Sequence, residues 1–289
     1  MDVMTQTQRL GMHIMASERT SDRLSARVSQ RALFTVSALI FAASAAATIV
    51  WCGSMSEMGG MTMPGGWTMS MTWMRMPGQT WPGAAAEFLG MWSVMMVAMM
   101  LPSLLPMLMR YREAVAASLD TTAGAGLGRL TALVGFAYFF VWTLFGMAIY
   151  PLGIALAEIE MQHPDVSRAV PIAAAAAILI AGLLQFTPWK ARYLARCRER
   201  TRKLSAEAPT ALRHGLRLGL HCSYACAGPM LILLVLGVMD LRVMAVVTAA
   251  ITLERFAPAD RHVAFARAIG AVIVAAGLFL MIQNLADLI

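Results

Sequence analysis

The strongest constraint in this chain is the recurrence of apolar runs that carry almost no charge. Of its 289 residues 59% are apolar and only 13% charged, a balance that fits a soluble surface poorly. Runs of roughly 20 such residues cross the hydrocarbon layer of a bilayer as helices, because a helix satisfies its own backbone groups where no water can. Strand barrels would show short segments of alternating polarity instead. The expected fold is an all-α polytopic transmembrane helical bundle. Seven spans can be drawn, at 32–52, 84–109, 129–156, 169–187, 215–239, 241–257 and 263–283. The sixth is short and runs into Glu254 and Arg255, which keeps open a six-span arrangement with a re-entrant or interfacial segment there.

Charge placement orients these spans. Residues 1–31 are polar, hold five arginines and lead into no short apolar core with a small-residue cleavage site, so they read as a retained cytoplasmic N-terminal segment ahead of a membrane domain at 32–289. With that end inside, all of the 23 Lys and Arg residues except Arg75, Arg168 and Arg242 fall on the cytoplasmic side, as the positive-inside rule requires. The expected location is a bacterial inner membrane. The densest cationic stretch, the loop 188–214, contains Lys190, Arg192, Arg196, Arg198, Arg200, Arg202 and Lys203 and reads as a topology anchor that touches anionic lipid. The net charge of +7 thus finds its partner in the bilayer rather than in nucleic acid. The chain has no Walker-type phosphate loop, dinucleotide fingerprint or zinc-protease helix motif, so no enzymatic activity is expected. Four widely spaced cysteines do not make a disulfide framework and are expected as free thiols.

Sulfur is the second theme. The outer loop 53–83 holds eight methionines, Met55, Met58, Met61, Met63, Met69, Met71, Met74 and Met76, among Gly, Pro, Ser, Thr and the tryptophans Trp67, Trp73 and Trp81. A thioether is a soft ligand that suits Cu(I) and has no thiol to oxidise in a periplasm. Pairs such as Met61/Met63 and Met69/Met71 would let a flexible loop wrap such an ion. The same residues also suit a mobile interfacial loop anchored by its tryptophans.

In the second span, Met91, Met95, Met96, Met99 and Met100 fall with Trp92 and Ser103 on one half of a helix. Pro102 and Pro106 each remove a backbone donor there, so a kink or local opening is expected toward the cytoplasmic end. In the fifth span, Cys222, Cys226 and Met230 are spaced four apart and form a nearly straight stripe on one helix face, the first roughly 10 Å inside the cytoplasmic boundary. Two sulfurs one turn apart can chelate one soft ion. His221, about 100° around the helix, reaches the stripe only from its edge. Gly215 and Gly219 extend the stripe and invite close approach of another helix, for which the methionine face of span two is a candidate. Packing of small thiols and flexible thioethers is the alternative for every one of these residues. Glu254 reads either as an interfacial ion pair with Arg255 or as a polar gate facing span five.

From about residue 88 onward these segments resemble a family of bacterial integral membrane proteins predicted to bind metal, a domain of unknown function that has been associated with copper handling. The resemblance is carried by Trp92, Met95, Met96, Met99, Met100, Pro102 and Pro106, then by Gln185, Pro188, Lys190 and Cys197. It continues through Cys222, Cys226, Met230, Gly237 and Met239 and ends at Thr252, Glu254 and Arg255. Where members often carry further cysteines this chain has Tyr193 and Ala225, which leaves Cys197, Cys222 and Cys226 as the thiols of any site shared with them.

The expected function is soft-metal binding in copper transfer, delivery or transport. Met61, Met63, Met69 and Met71 would capture Cu(I), Met95, Met96, Met99 and Met100 would pass it on, and Cys222, Cys226, His221, Met230 and Cys197 would hold it. The partner would be a periplasmic or membrane cuproprotein. The alternative is an accessory or scaffold subunit of a larger membrane complex, with no metal of its own. A thiol redox enzyme ranks last, because a Cys pair this deep in the bilayer has no base or quinone site beside it.

Overall fold

The structure is a computed structural model that describes residues 2–57, 59–75, 78–116, 124–198, 205–258 and 261–286, with no account of the side chains of 2–27, 124, 125, 198 and 262. Met58, Met76, Arg200, Arg202 and Lys203 lie outside the described residues, as does the side chain of Arg198.

The elements run α1 (Asp2–Glu57), a small hairpin β1 (Gly60–Thr62) and β2 (Thr68–Ser70), a 3-10 turn (Met71–Trp73), α2 (Trp81–Ala116), α3 (Gly124–Gln162), α4 (Pro164–Leu184), α5 (Pro188–Arg198), α6 (Ala208–Ala225), α7 (Ala227–Leu236), α8 (Leu241–Phe256) and α9 (His262–Ala286). Among the described residues, five helices are long and apolar enough to cross a membrane: 28–57, α2, 126–162, α4 and 263–286. The pair α6–α7 adds a sixth when taken as one bent span. The chain is a multi-pass helical membrane protein. The drawn sixth span falls on α8, which has 16 residues and is short for the hydrocarbon layer.

Helix boundaries follow local chemistry. Pro164 opens α4 at a position where its missing N–H costs nothing. Gly237 ends α7 with φ +125°, a backbone region that a side chain would strain. Three residues later the Asp240 carboxylate accepts the N–H groups of Arg242 and Val243 at 2.8 and 3.2 Å and caps α8. This turn is tight enough to fold α8 back on α7.

Two packing units meet in the bundle: α3 lies against α6 with α2 and α1 beside it, and α4 lies against α9 and α7. The α3–α6 contact depends on the absence of side chains. A Cβ at Gly215 would stand 2.5 Å from the Val134 carbonyl oxygen, and one at Gly219 3.0 Å from that of Tyr138. The glycine stripe therefore receives α3, and not the methionine face of α2 as its sequence position invited.

The central core joins Met91, Met95, Met96, Met99, Met100 and Met107 of α2 to Tyr138 and Trp142 of α3 and to Cys197, Cys222, Cys226 and Met230. Trp92 is locked inside it, its indole N–H donating to the Trp142 carbonyl at 2.8 Å. The helix α2 runs through Pro102 and Pro106 as one element, with no break in its assignment. The break lies in span five instead, where α6 and α7 are bent by 63°.

Candidate functional site

The bend centres on Cys226, whose φ and ψ of −98° and 5° leave the helical range. Its cause is local: Pro229 has no N–H to give the carbonyl four residues earlier, and that carbonyl belongs to Ala225. The orphaned oxygen receives the Lys190 ammonium at 2.6 Å. Gly228 lets α7 lie close on α4, since a Cβ there would meet the Ala181 carbonyl oxygen at 2.9 Å. The straight stripe expected for Cys222, Cys226 and Met230 is thus turned at its middle member, although the bonds Cys226 N–H to Cys222 carbonyl (2.8 Å) and Met230 N–H to Cys226 carbonyl (2.9 Å) survive.

The two thiols still converge. Cys222 Sγ and Cys226 Sγ are 3.8 Å apart and both cysteines are buried. Cys222 Sγ accepts the Tyr138 hydroxyl at 2.9 Å and an Arg255 Nη2 hydrogen at 3.3 Å; the same Nη2 reaches Cys226 Sγ at 3.7 Å. All four cysteines are free thiols.

Lys190, read from its position as part of a basic topology anchor touching anionic lipid, is instead buried and forms an ion pair with Glu254 at 2.7 Å, the two side chains only 4% and 2% exposed. Arg255, 3% exposed, lies among the thiols. The Glu254–Arg255 ion pair read from the sequence does not form. Adjacent helical residues diverge by about 100°, so Glu254 meets α5 and Arg255 meets α6. The gate alternative for Glu254 is changed as well, because the carboxylate is engaged by Lys190. A buried charge without a partner costs several kcal/mol, and this arrangement pairs Lys190 with Glu254 and sets the Arg255 guanidinium within hydrogen-bonding reach of the thiol pair.

The remaining predicted residues divide. Cys197 on α5 is buried close to Arg255. Burial pushes its thiol above the usual value, and the neighbouring guanidinium opposes that shift. Among the described residues no three His, Cys, Asp or Glu side chains gather as a metal-holding group, so Cys197 does not complete a cup with the other two thiols. His221 lies tilted against Tyr193 on α5, ring centroids 5.9 Å apart, at the edge of the site as its helical position implied. Met95, Met96, Met99 and Met100 are all buried in the core cluster that contains the thiol pair.

The described part of the methionine-rich loop is tied by hydrogen bonds. Met61 pairs with Met69 across the hairpin, Trp67 donates to the Ser167 carbonyl at 2.9 Å and Ser167 to the Pro64 carbonyl at 3.0 Å. Met63 and Met69 pack together against Ala157 beneath Trp67 and Trp73, whereas Met61 is 39% exposed. Met71 stands apart from these three, in the 3-10 turn.

Tyr138 was not singled out in the sequence, Lys190 and Arg255 were read there without their place beside the thiols, and a second sulfur contact, Cys52 Sγ to Met239 Sδ at 3.8 Å, went unforeseen. Their signals were present but weak: charges in a short apolar span, and a lysine directly after Pro188–Trp189.

No curated protein and no solved structure matches the chain. Residues 89–280, which contain the thiol pair, Arg255, the Lys190–Glu254 pair and the α2 methionines, match the family PpoB2, described as a copper chaperone. This membrane protein belongs to that copper chaperone family.

Proposed function

We propose that the chain carries Cu(I) within a bacterial inner membrane, N-terminus inside, and hands it to a cuproprotein without catalysing a reaction. The observation that carries this is the charge count around the thiols. Among the described residues Lys190 is paired with Glu254, and Arg255 is the cation that donates to Cys222 and Cys226. A monovalent ion on two thiolates has a net charge of −1, which Arg255 balances; a divalent ion on the same pair would leave Arg255 as an uncompensated buried charge. Thiolates are also the donors that soft Cu(I) selects. For bonds of zinc–thiolate length, about 2.3 Å, sulfurs at the 3.8 Å separation seen here subtend an angle of about 110° at the ion. That angle leaves a third position open, through which an incoming ligand can take the ion by exchange.

The supporting features outside the pair are the α2 methionines in the same core and the soft thioethers of the outer segment. The deciding experiment is Cu(I) analysis of the purified protein beside Cys222→Ser/Cys226→Ser. The wild type is expected to retain copper after passage over a weak chelator and the double variant to lose it. Equal retention would remove the thiol pair from the function. Unchanged copper delivery by the double variant, together with stability that depends on a co-purifying partner, would favour a scaffold subunit.

A further inference from the structure

A second sulfur-lined space lies at the opposite end of α2 from its prolines. A cavity of about 150 Å³ is bounded by Trp51 and Met55 of α1, Met71, Thr72 and Met74 of the turn segment, Gln79 just before α2, Ala84, Glu87, Phe88 and Met91 of the α2 end, and Tyr150 of α3. We propose that this cavity is an entry site for a monovalent soft cation, held by the thioethers of Met55, Met71, Met74 and Met91. The proposal rests on the soft-metal reading above but names a site of its own, most of whose ligands lie before the residues matched by the family.

The backbone presents these side chains together. A 3-10 turn has three residues per revolution, so residues i and i+3 share a face. Met71 and Met74 stand in that relation, closed by the Met74 N–H to Met71 carbonyl bond at 3.0 Å, and the Ser70 hydroxyl caps the turn by accepting Thr72 N–H at 3.3 Å. The donors grade inward. Met55, Met71 and Met74 are partly exposed, whereas Met91 is 6% exposed and begins the i+4 series Met91, Met95, Met99 that leads into the core with the thiol pair. The walls are aromatic: Phe88 and Tyr150 stack at 4.7 Å, surfaces that attract a cation through their π faces.

The donor set selects the ion. Four neutral thioethers suit Cu(I) or Ag(I) and suit hard or borderline divalent ions poorly. The single carboxylate, Glu87, is held at the rim by the Gln79 side-chain amide, which donates to it at 2.6 Å. One negative charge matches one monovalent cation. Thioethers carry no charge and bind more weakly than thiolates, so an ion taken here can move on to the thiol pair.

The test uses Ag(I) as a redox-inert probe and the full chain in detergent. Ag(I) binding is measured by equilibrium dialysis for Cys222→Ser/Cys226→Ser and for the same protein with Met55→Leu, Met71→Leu and Met74→Leu. Leucine keeps volume closely enough to spare the fold, and an unchanged thermal midpoint without metal checks this. The cysteine variant is expected to keep a site that the added leucines abolish, and Glu87→Gln to weaken it by about tenfold, the scale of an outer-shell change. A Zn(II) titration should show no binding at this site. Equal Ag(I) binding with and without the three leucines, or no Ag(I) binding once the cysteines are gone, would overturn the entry site. Should the cysteine variant not fold, the leucine triple in the otherwise native chain must lose one class of Ag(I) site, and retention of all sites is the refuting result. The thiol reading fails separately, if removal of Cys222 and Cys226 costs no site.

Discussion

Replacing Arg255 with methionine is the most informative single perturbation of the thiol site. Methionine fills comparable space and removes the charge together with the Nη2 hydrogen bonds to the two sulfurs. In the metal-free protein the pair Lys190–Glu254 stays intact and a buried cation is removed, so folding stability should change little or improve, as when buried ionic groups are replaced by apolar ones. In the loaded protein the result reverses. The guanidinium lies 3.3 and 3.7 Å from the two sulfurs, and unit charges about 3.5 Å apart in an effective dielectric of about 20 attract by about 5 kcal/mol. The negative charge is spread over two sulfurs and relaxation recovers some of the loss, so about 2–4 kcal/mol is the working figure, roughly 30-fold to 1,000-fold in Cu(I) affinity. Competition against a chromophoric Cu(I) chelator reads this directly. Arg255→Lys, which keeps the charge and loses the fork, should recover most of the affinity. If Arg255→Met binds Cu(I) as tightly as the wild type, charge matching is not what selects the ion, and the carrying observation for the proposed function is gone.

Further outcomes can be checked with the same protein. Lys190→Met leaves the Glu254 carboxylate buried without its cation and the Ala225 carbonyl without its donor, so it should cost about 3–5 kcal/mol in detergent unfolding, and adding Glu254→Gln should restore a large part of it. Gly215→Val drives a side chain into the Val134 carbonyl and should destabilise by about 1–3 kcal/mol, read as a fall in thermal midpoint with no change in copper stoichiometry. Cys197 holds its proton more firmly in the folded chain than in the unfolded one. Its stabilising contribution is therefore complete below the ordinary thiol value of about 8.5 and is lost as pH rises above it. Cys197→Ala should flatten the fall in stability over that alkaline range, and an unchanged slope would show that the buried thiol is not its source.

The bundle was legible because the length of an apolar run decides whether it can cross a bilayer, and that length is countable. The sulfur positions were legible for the same kind of reason: a spacing of four places Cys222 and Cys226 on one turn, and their sulfurs do meet. What the sequence withheld was how each polar group is satisfied. Pro102, Pro106 and Pro229 look alike in a string, yet α2 runs on through the first two and the bend falls at the third. There the freed Ala225 carbonyl finds Lys190 and α7 lies down against α4 through Gly228. Lys190 itself was hidden in a run of basic residues whose other members read as loop charges. Glu254 and Arg255 invited pairing by adjacency, but a step of one residue on a helix sends neighbours to different elements. The methionine loop shows the opposite limit: its composition named the donors, and only the hairpin register decided that Met63 and Met69 pack together while Met71 turns to the cavity.

The bend at Cys226 gives the thiol pair a mechanical role. Cys222 travels with α6, which is seated on α3, while Cys226 stands at the joint with α7, which is seated on α4. An ion bridging the two sulfurs would act as a splint across that joint and stiffen one half of the bundle against the other. Loading and release would then be legible far from the metal, as slower and faster amide exchange along the α4–α7 contact.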